Sequence, residues 1–559
     1  MKGSGARRRD AEDTSLAVDE EANETTPLTN KGAPGCHTSG EWPIASRWRL
    51  KQLPWQFLVS IFTTQCLLKG LVAGGGDEGL VGKPVEFLLG AQHVPAGRLQ
   101  AMISIGGMAP WILKPILGFL SDMMPIMGYH KNSYIVLTTI FACLAALSLG
   151  SGLAATPGMI ILSLFFVSLQ VAMATLLVDA KQSEVVKARP ECGPDLVAFK
   201  EVCMNSGMIL SAWVVGPLIT FGGPRLPYFV ALPVIASLFI LSFGNWLQEK
   251  RLVETEQTSG RWRQRYSPEL FALGLLLVPL LLALAIGSAL HLHERVLACV
   301  AVGASFAVVS GYMLFIRHEI SGPVVWYFLV RCVTLQINGA LFYFFTDSAL
   351  AFPSGPHFTP FFYVSGVTSV AILGRLIGFM TAKDLFGNWH YGKALLLTMP
   401  LAAITQLMLV PLILRWNLAL GIPDQVWVLV WTFLDMIARG WRHFPISIVL
   451  LQATPQGLEA SSLALNTGAI NMGTTVSHFL GSFALHLFNV QPAGYDGEQD
   501  TFSGLWKIQV GAALLPLLAI PLMPLLMPRR SQTERLLVES PESATYGAPW
   551  ERFGARRSS

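Results

Sequence analysis

Charge is scarce in this sequence: only 13% of its 559 residues are Asp, Glu, Lys or Arg, about half the share usual in a soluble globular chain. The net charge of +4 is too small to imply a nucleic-acid partner. Enzyme motifs are missing as well. His318-Glu319 stands alone without the second histidine of a zinc-protease helix. Gly82-Lys83 runs into Pro84 and has no glycine five residues before Gly82, so no phosphate-cradling loop forms there. Without a nucleotide site, any pumping must run on an ion gradient or on exchange. Seven scattered cysteines, Cys36, Cys66, Cys143, Cys192, Cys203, Cys299 and Cys332, suggest neither a disulfide framework nor a zinc site. No cofactor or metal is expected. The polar N-terminus lacks the charged-then-apolar pattern of a signal peptide, which leaves insertion to the first membrane helix.

What the chain has in abundance is apolar sequence, 52% of all residues, gathered in runs of about twenty, the length that crosses a hydrocarbon core as a helix. The expected fold is an all-α polytopic membrane protein. Spans are expected near 54–74, 98–121, 133–152, 157–179, 196–221 and 227–247, then 269–290 and 296–316 after a basic linker. The remainder are 322–345, 360–382, 392–415, 425–450, 460–488 and 505–527. The domains read as a disordered tail (1–50), a six-helix half (54–248), a linker with two extra helices (249–318), a second six-helix half (320–528) and a tail (529–559). Lys131, Lys181, Lys187, Arg189, Arg261, Arg263, Arg265 and Arg529-Arg530 crowd one set of loops, which places both termini in the cytosol. A glycan on the sequon at Asn23 would overturn that topology. The plasma membrane is the default location, since no organelle address stands out.

The polar residues inside the apolar runs carry the functional argument, because an intramembrane charge is costly unless it is paired or faces water. Lys114 lies deep in the second span, beside Pro115. Asp435, Arg439 and Arg442 recur at i, i+4 and i+7, on one helical face. They form either a structural pair or a grip for an anion, since guanidinium matches a carboxylate bidentately. Arg331 and Arg375 are further intramembrane arginines. Asp179 and Glu184 flank the end of the fourth span as gating partners or proton carriers. Asn466 and Asn471 could hydrogen-bond a heterocycle edge or join helices. Gly374-Arg375…Gly378…Lys383 echoes Lys114…Gly118…Asp122…Lys131, and Gln452-Ala453…Glu459 echoes Asp179-Ala180…Glu184. Such parallel repeats place a substrate site between two halves.

Lys114-Pro115…Gly118…Ser121-Asp122…Pro125-Ile126…Gly128-Tyr129…Tyr134 resembles the signature of the folate–biopterin transporter family, a branch of the major facilitator superfamily. Asp179-Ala180…Glu184, Gly193-Pro194-Asp195, Ala340 to Phe344, and the stretch from Trp416-Asn417 through Gly421 to Asp424, Pro455-x-Gly457-x-Glu459 and Asn471 fit the same family. The likeness covers residues 54 to 528. Lys69-Gly70 and the extra helix pair resemble the protozoan members most. His130-Lys131 and Asn132-Ser133 depart from the family pattern, which bears on substrate more than on fold. The resemblance implies a major facilitator fold that carries folates or pterins, coupled to protons, by alternating access. It implies substrate contacts from Lys114, Arg331, Arg375, Arg439, Arg442, Asn466 and Asn471. Proton coupling or gating would fall to Asp122, Asp179, Glu184, Asp435 and Glu459. The rival readings are a fourteen-span exporter of drugs or organic ions, and a nutrient receptor that does not transport.

Overall fold

The computed structural model describes residues 53–74, 79–124, 126–129, 131–188, 193–247, 249, 268–453, 459–532, 534 and 549. The sequon at Asn23, His130 and most of the basic linker lie outside them, as do the side chains of Asp122, Glu184 and Glu459. The first group of helices comprises α1 (Trp55–Val72), the short α2 (Gly82–Gly90), α3 (Ala96–Ile112), α4 (Lys114–Met123), α5 (Asn132–Ser151), α6 (Pro157–Ala188), α7 (Gly193–Gly222) and α8 (Leu226–Phe243). An inserted pair follows, α9 (Pro268–Ala289) and α10 (Glu294–Phe315). The second group runs α11 (His318–Val333), α12 (Asn338–Thr346), α13 (Phe361–Phe386), α14 (Tyr391–Ile413), α15 (Trp416–Ala419), α16 (Asp424–Gln452), α17 (Glu459–Leu487) and α18 (Gln499–Leu526).

Among the described residues, eleven helices are long and apolar enough to cross a membrane, or twelve if the bent pair α3–α4 counts as one span. Helices α16 and α17 stand outside that count although each has 29 residues. Charged residues interrupt α16 and serine, threonine and asparagine interrupt α17, which lowers their hydropathy below that of the other spans. Adding them gives six spans, two inserted spans and six more.

Two spans are broken near their middles, each for a local reason. Between α3 and α4 the axis turns by 40°. Pro115 lacks an N–H and its ring would clash with the carbonyl of Trp111, so the helix restarts at Lys114. Between α11 and α12 residues 334–337 unwind, with no proline to mark the place. Here the freed groups find tertiary partners. The Gln336 N–H donates to Ser477 O (3.3 Å), and the Gln336 carbonyl accepts from Gln100 Nε2 at 2.8 Å. Unwound backbone at membrane depth is tolerated only where protein or a cavity surrounds it.

The two groups meet along α3–α17 and α7–α13. Trp55 stacks edge-on against Trp246, and Ser531 pairs with His390, so these segments mark one end of each group, the terminal end. At the opposite, far end the groups are joined by hydrogen bonds from Ala96 N to Pro492 O (2.9 Å), from Tyr343 Oη to Val94 O, and between His93 Nδ1 and Ala493 O (3.0 Å). The inserted pair packs beside the α3–α17 seam. Phe271 meets Phe119, Tyr312 Oη donates to Asn466 Oδ1 (3.3 Å), and Ser482 Oγ donates to Glu294 Oε2 (2.8 Å).

Candidate functional site

A cavity of about 430 Å³ lies between the two groups, beneath the far-end closure. From the second group it is lined by Arg331 on α11, Asp435 and Arg439 on α16, and Thr474 and His478 on α17. The unwound Gln336 and Asn338 also reach it, with Trp431 and Tyr363 as aromatic surfaces. Lys83 and Glu86 on α2 and Gln100 on α3 enter from the first group. A smaller adjoining cavity of about 90 Å³ shares Gln336, Asn338, Trp431 and Arg439 and adds Arg442.

The helical repeat puts Asp435 and Arg439 one turn apart, and their side chains meet: Arg439 Nε lies 2.7 Å from Asp435 Oδ2. Asp435 is wholly buried, and its other oxygen accepts from Thr405 Oγ1 (3.1 Å) and Gln406 Nε2 (2.7 Å). The Arg439 side chain is 41% exposed, so its guanidinium leans from a fixed carboxylate into the cavity. Arg331 donates from Nε (3.1 Å) and Nη2 (2.6 Å) to one hydroxyl, that of Thr474. Its described hydrogen-bond partner is therefore neutral. Three cations and two carboxylates line the cavity, so an anion fits it better than a cation.

The remaining sequence-derived candidates sit elsewhere. Arg375 Nη2 lies 3.0 Å from Met208 Sδ, where α13 meets α7. Asn466 faces Tyr312 of the inserted pair, and Asn471 lies further along α17 and is half-buried. Lys114 caps the break in α3–α4 with its ammonium 4.3 Å from the Trp111 ring centroid, and Lys69 approaches the same ring at 6.0 Å. Such cation–π contacts offset part of the desolvation of an amine within the bundle. Asp179 accepts from Lys200 Nζ (2.7 Å) and Gln65 Nε2 (3.3 Å), which makes it a paired carboxylate between α6 and α7. Lys69, Lys114 and Lys200 around Asp179 form a second basic region inside the first group.

Gln100 was not legible as a functional residue, yet it ties the halves together. Its amide donates to Gln336 O (2.8 Å) and His478 O (3.0 Å), and its oxygen accepts from Gly339 N (3.2 Å). Leucine there would fill a similar volume and strand three backbone groups, at about 1–3 kcal/mol for each one left buried. Gln100→Leu is expected to lower the melting temperature of the purified protein and to cut uptake at least tenfold. A variant with wild-type melting and uptake would show that water replaces the amide at no cost.

The far-end closure also holds a perturbed acid. Asp347 follows α12, and burial, with the Glu498 carboxylate nearby, pushes it up to about 7. Glu498 itself accepts from the backbone N–H groups of Ala493 (2.8 Å) and Gly494 (3.0 Å), while His93 stacks on Tyr495 and His357 Nδ1 lies 2.7 Å from Asp347 O. An acid whose folded value is raised stabilises the fold fully below its unfolded value, here 3.8, and loses that contribution as pH rises through about 7. Closure of the far end is thus expected to weaken between pH 5 and 8. Labelling of a cysteine placed at the buried Ala493, taken relative to one at the exposed Leu350 so that thiol ionisation cancels, should rise across that window, and Asp347→Asn should flatten the response. A pH-independent ratio of the two rates in the wild type would refute this.

Comparison with known proteins agrees with this architecture. The BT1 family model matches residues 78–541. Among relatives, the "Probable folate-biopterin transporter 2" of Arabidopsis thaliana is 22% identical over 489 residues, covering 85% of this chain and 84% of that protein. The "Folate transporter 2" of Plasmodium falciparum is 24% identical over 418 residues, covering 74% and 78%. Among solved structures, a peptide transporter POT in complex with sulfate superposes with a TM-score of 0.58 at 14% identity, over 84% of this chain and 95% of that one. That likeness shows the major facilitator fold. With the family model spanning most of the chain and the membrane helices arranged in this fold, the protein belongs to the BT1 family.

Proposed function

We propose that this protein is a secondary transporter of folates or pterins that works by alternating access between its two six-helix groups. The observation that carries the reading is the cavity between them, where Arg331 and Arg439 present cationic forks beside Trp431, Tyr363 and the polar edges of Gln336 and Asn338. A folate joins a flat heterocycle to two carboxylates. Its heterocycle suits aromatic faces and amides, and its carboxylates suit guanidinium groups. The names of the relatives point to the same compounds. Coupling to protons needs a carboxylate whose surroundings change as the halves rock. Asp435 is the candidate in the cavity, Asp179 the candidate in the first group. Asp122, Glu184 and Glu459 are gating candidates on their positions at helix ends. The bilayer is the partner of the apolar helix faces, and the plasma membrane is the proposed site of action.

The test is uptake of labelled folic acid and labelled biopterin by proteoliposomes, with and without an inward proton gradient. Saturable uptake of either, raised by the gradient, is the expected result. Uptake indifferent to the gradient would remove the proton coupling. Binding without uptake would favour a receptor, and no binding of either compound by folded protein would overturn the substrate class.

A further inference from the structure

The cavity contains a second ion pair, on the half opposite Asp435 and Arg439. Lys83 and Glu86 lie three residues apart on α2, so they share a face. Lys83 Nζ sits 3.0 Å from Glu86 Oε2 and 3.3 Å from Oε1, and both side chains are largely buried in the cavity wall. The same ammonium lies 4.6 Å from the ring centroid of Tyr363, which comes from α13 in the other group. Phe342 and Phe345 flank Tyr363, with centroids 6.2 and 6.1 Å away. A carboxylate of the first group is therefore held beside an aromatic wall of the second.

We infer that Glu86 is the carboxylate that binds the heterocycle of the substrate, with Tyr363 as its stacking surface and Lys83 as a positioning residue. The inference rests on the folate or pterin reading above and adds an orientation to it. The aminopyrimidinone edge of a pterin presents two neighbouring N–H donors, which a carboxylate accepts side by side. Lys83 holds that carboxylate in place in the cavity wall. Arg331, bonded to the Thr474 hydroxyl, and Arg439, leaning from Asp435 into the cavity, then face the anionic tail. The heterocycle would thus be held between Glu86 of the first group and Tyr363 of the second, and the tail by the second, so that a bound substrate spans the moving interface.

The experiment measures uptake of labelled folic acid and of labelled biopterin by proteoliposomes of the full chain, with unlabelled p-aminobenzoylglutamate as a competitor that has the tail without the heterocycle. Glu86→Gln is expected to raise the half-saturation concentration of both labelled compounds about tenfold or more, with little change in maximal rate and unchanged inhibition by the fragment. Glu86→Asp should recover part of the loss. Because Glu86→Gln leaves Lys83 without its carboxylate, the double variant Lys83→Gln, Glu86→Gln is measured beside it and should show the same pattern. Unchanged half-saturation in the double variant, or an equal loss of fragment inhibition, overturns this assignment while leaving the transport reading intact. Failure of the wild type to transport either compound overturns the substrate reading first, and this assignment with it.

Discussion

An Arg439→Ala variant is expected to lose uptake by about a hundredfold or more while reaching the membrane in normal amount. The structure says why the effect should be large. Asp435 is buried and would keep only the Thr405 hydroxyl and the Gln406 amide once its ion-pair partner is gone. Arg439 is also one of the two guanidinium groups on the cavity wall, and losing a hydrogen bond to a charged ligand group costs about 1.5–3 kcal/mol, roughly one to two decades in affinity. Arg439 is the more exposed partner, so the converse change is milder in structure: Asp435→Asn keeps the hydrogen bonds of the site and leaves a hydrated guanidinium. It is expected to retain exchange of substrate across the membrane and to lose the response to an inward proton gradient. Arg439→Lys should restore part of the activity, because a point charge replaces the fork without its planar geometry. Normal uptake by Arg439→Ala, with normal expression, would remove this residue from the site.

That pair was visible in the sequence because spacing alone sets the shared face of a helix, and three charges at i, i+4 and i+7 in an apolar run are conspicuous. The spans were visible for the same reason, although residues 98–121 read as one continuous span and the structure breaks it beside Lys114, at the proline. Other parts of the site left no such trace. Residues 334–337 contain no glycine or proline, and their unwinding depends on Gln100, 236 residues away in the chain. Lys83 and Glu86 lie on a nine-residue helix too short to register as a span, and read locally they are an ordinary i, i+3 pair. Their meaning comes from Tyr363, which only the packing of one half against the other brings near. Asp347 likewise reads as a loop acid until burial and Glu498 are placed around it. Local periodicity thus reports on elements, while contacts between the halves, which carry the transport argument, are written in pairs of residues far apart.

Those contacts also give the second large effect: Gly339→Val is expected to abolish uptake while leaving substrate binding measurable. Gly339 opens α12 where the second group closes on the first, and a Cβ there would stand 2.1 Å from the carbonyl oxygen of Ala96. Backbone on both sides rules out a local adjustment, so the helices must part. Gly97, one residue on, is nearly as tight, with a Cβ 2.7 Å from Ser482 Oγ, but a hydroxyl can rotate away and the cost should be smaller. Although Gly339 lines the cavity, a side chain there meets Ala96 rather than Arg331, Arg439 or Tyr363, and so acts on closure of the far end. The variant should accumulate with its far end open, label faster than wild type at a cysteine placed at the buried Ala493, and still bind folic acid or biopterin. If the far end instead stays closed and uptake remains near wild type, the close approach of α12 to α3 is not a step that transport must make. Loss of binding together with uptake would mean that the closed far end forms part of the binding site, and Gln100, which accepts from Gly339 N and reaches Gln336 on the cavity wall, would be the residue through which the two are joined.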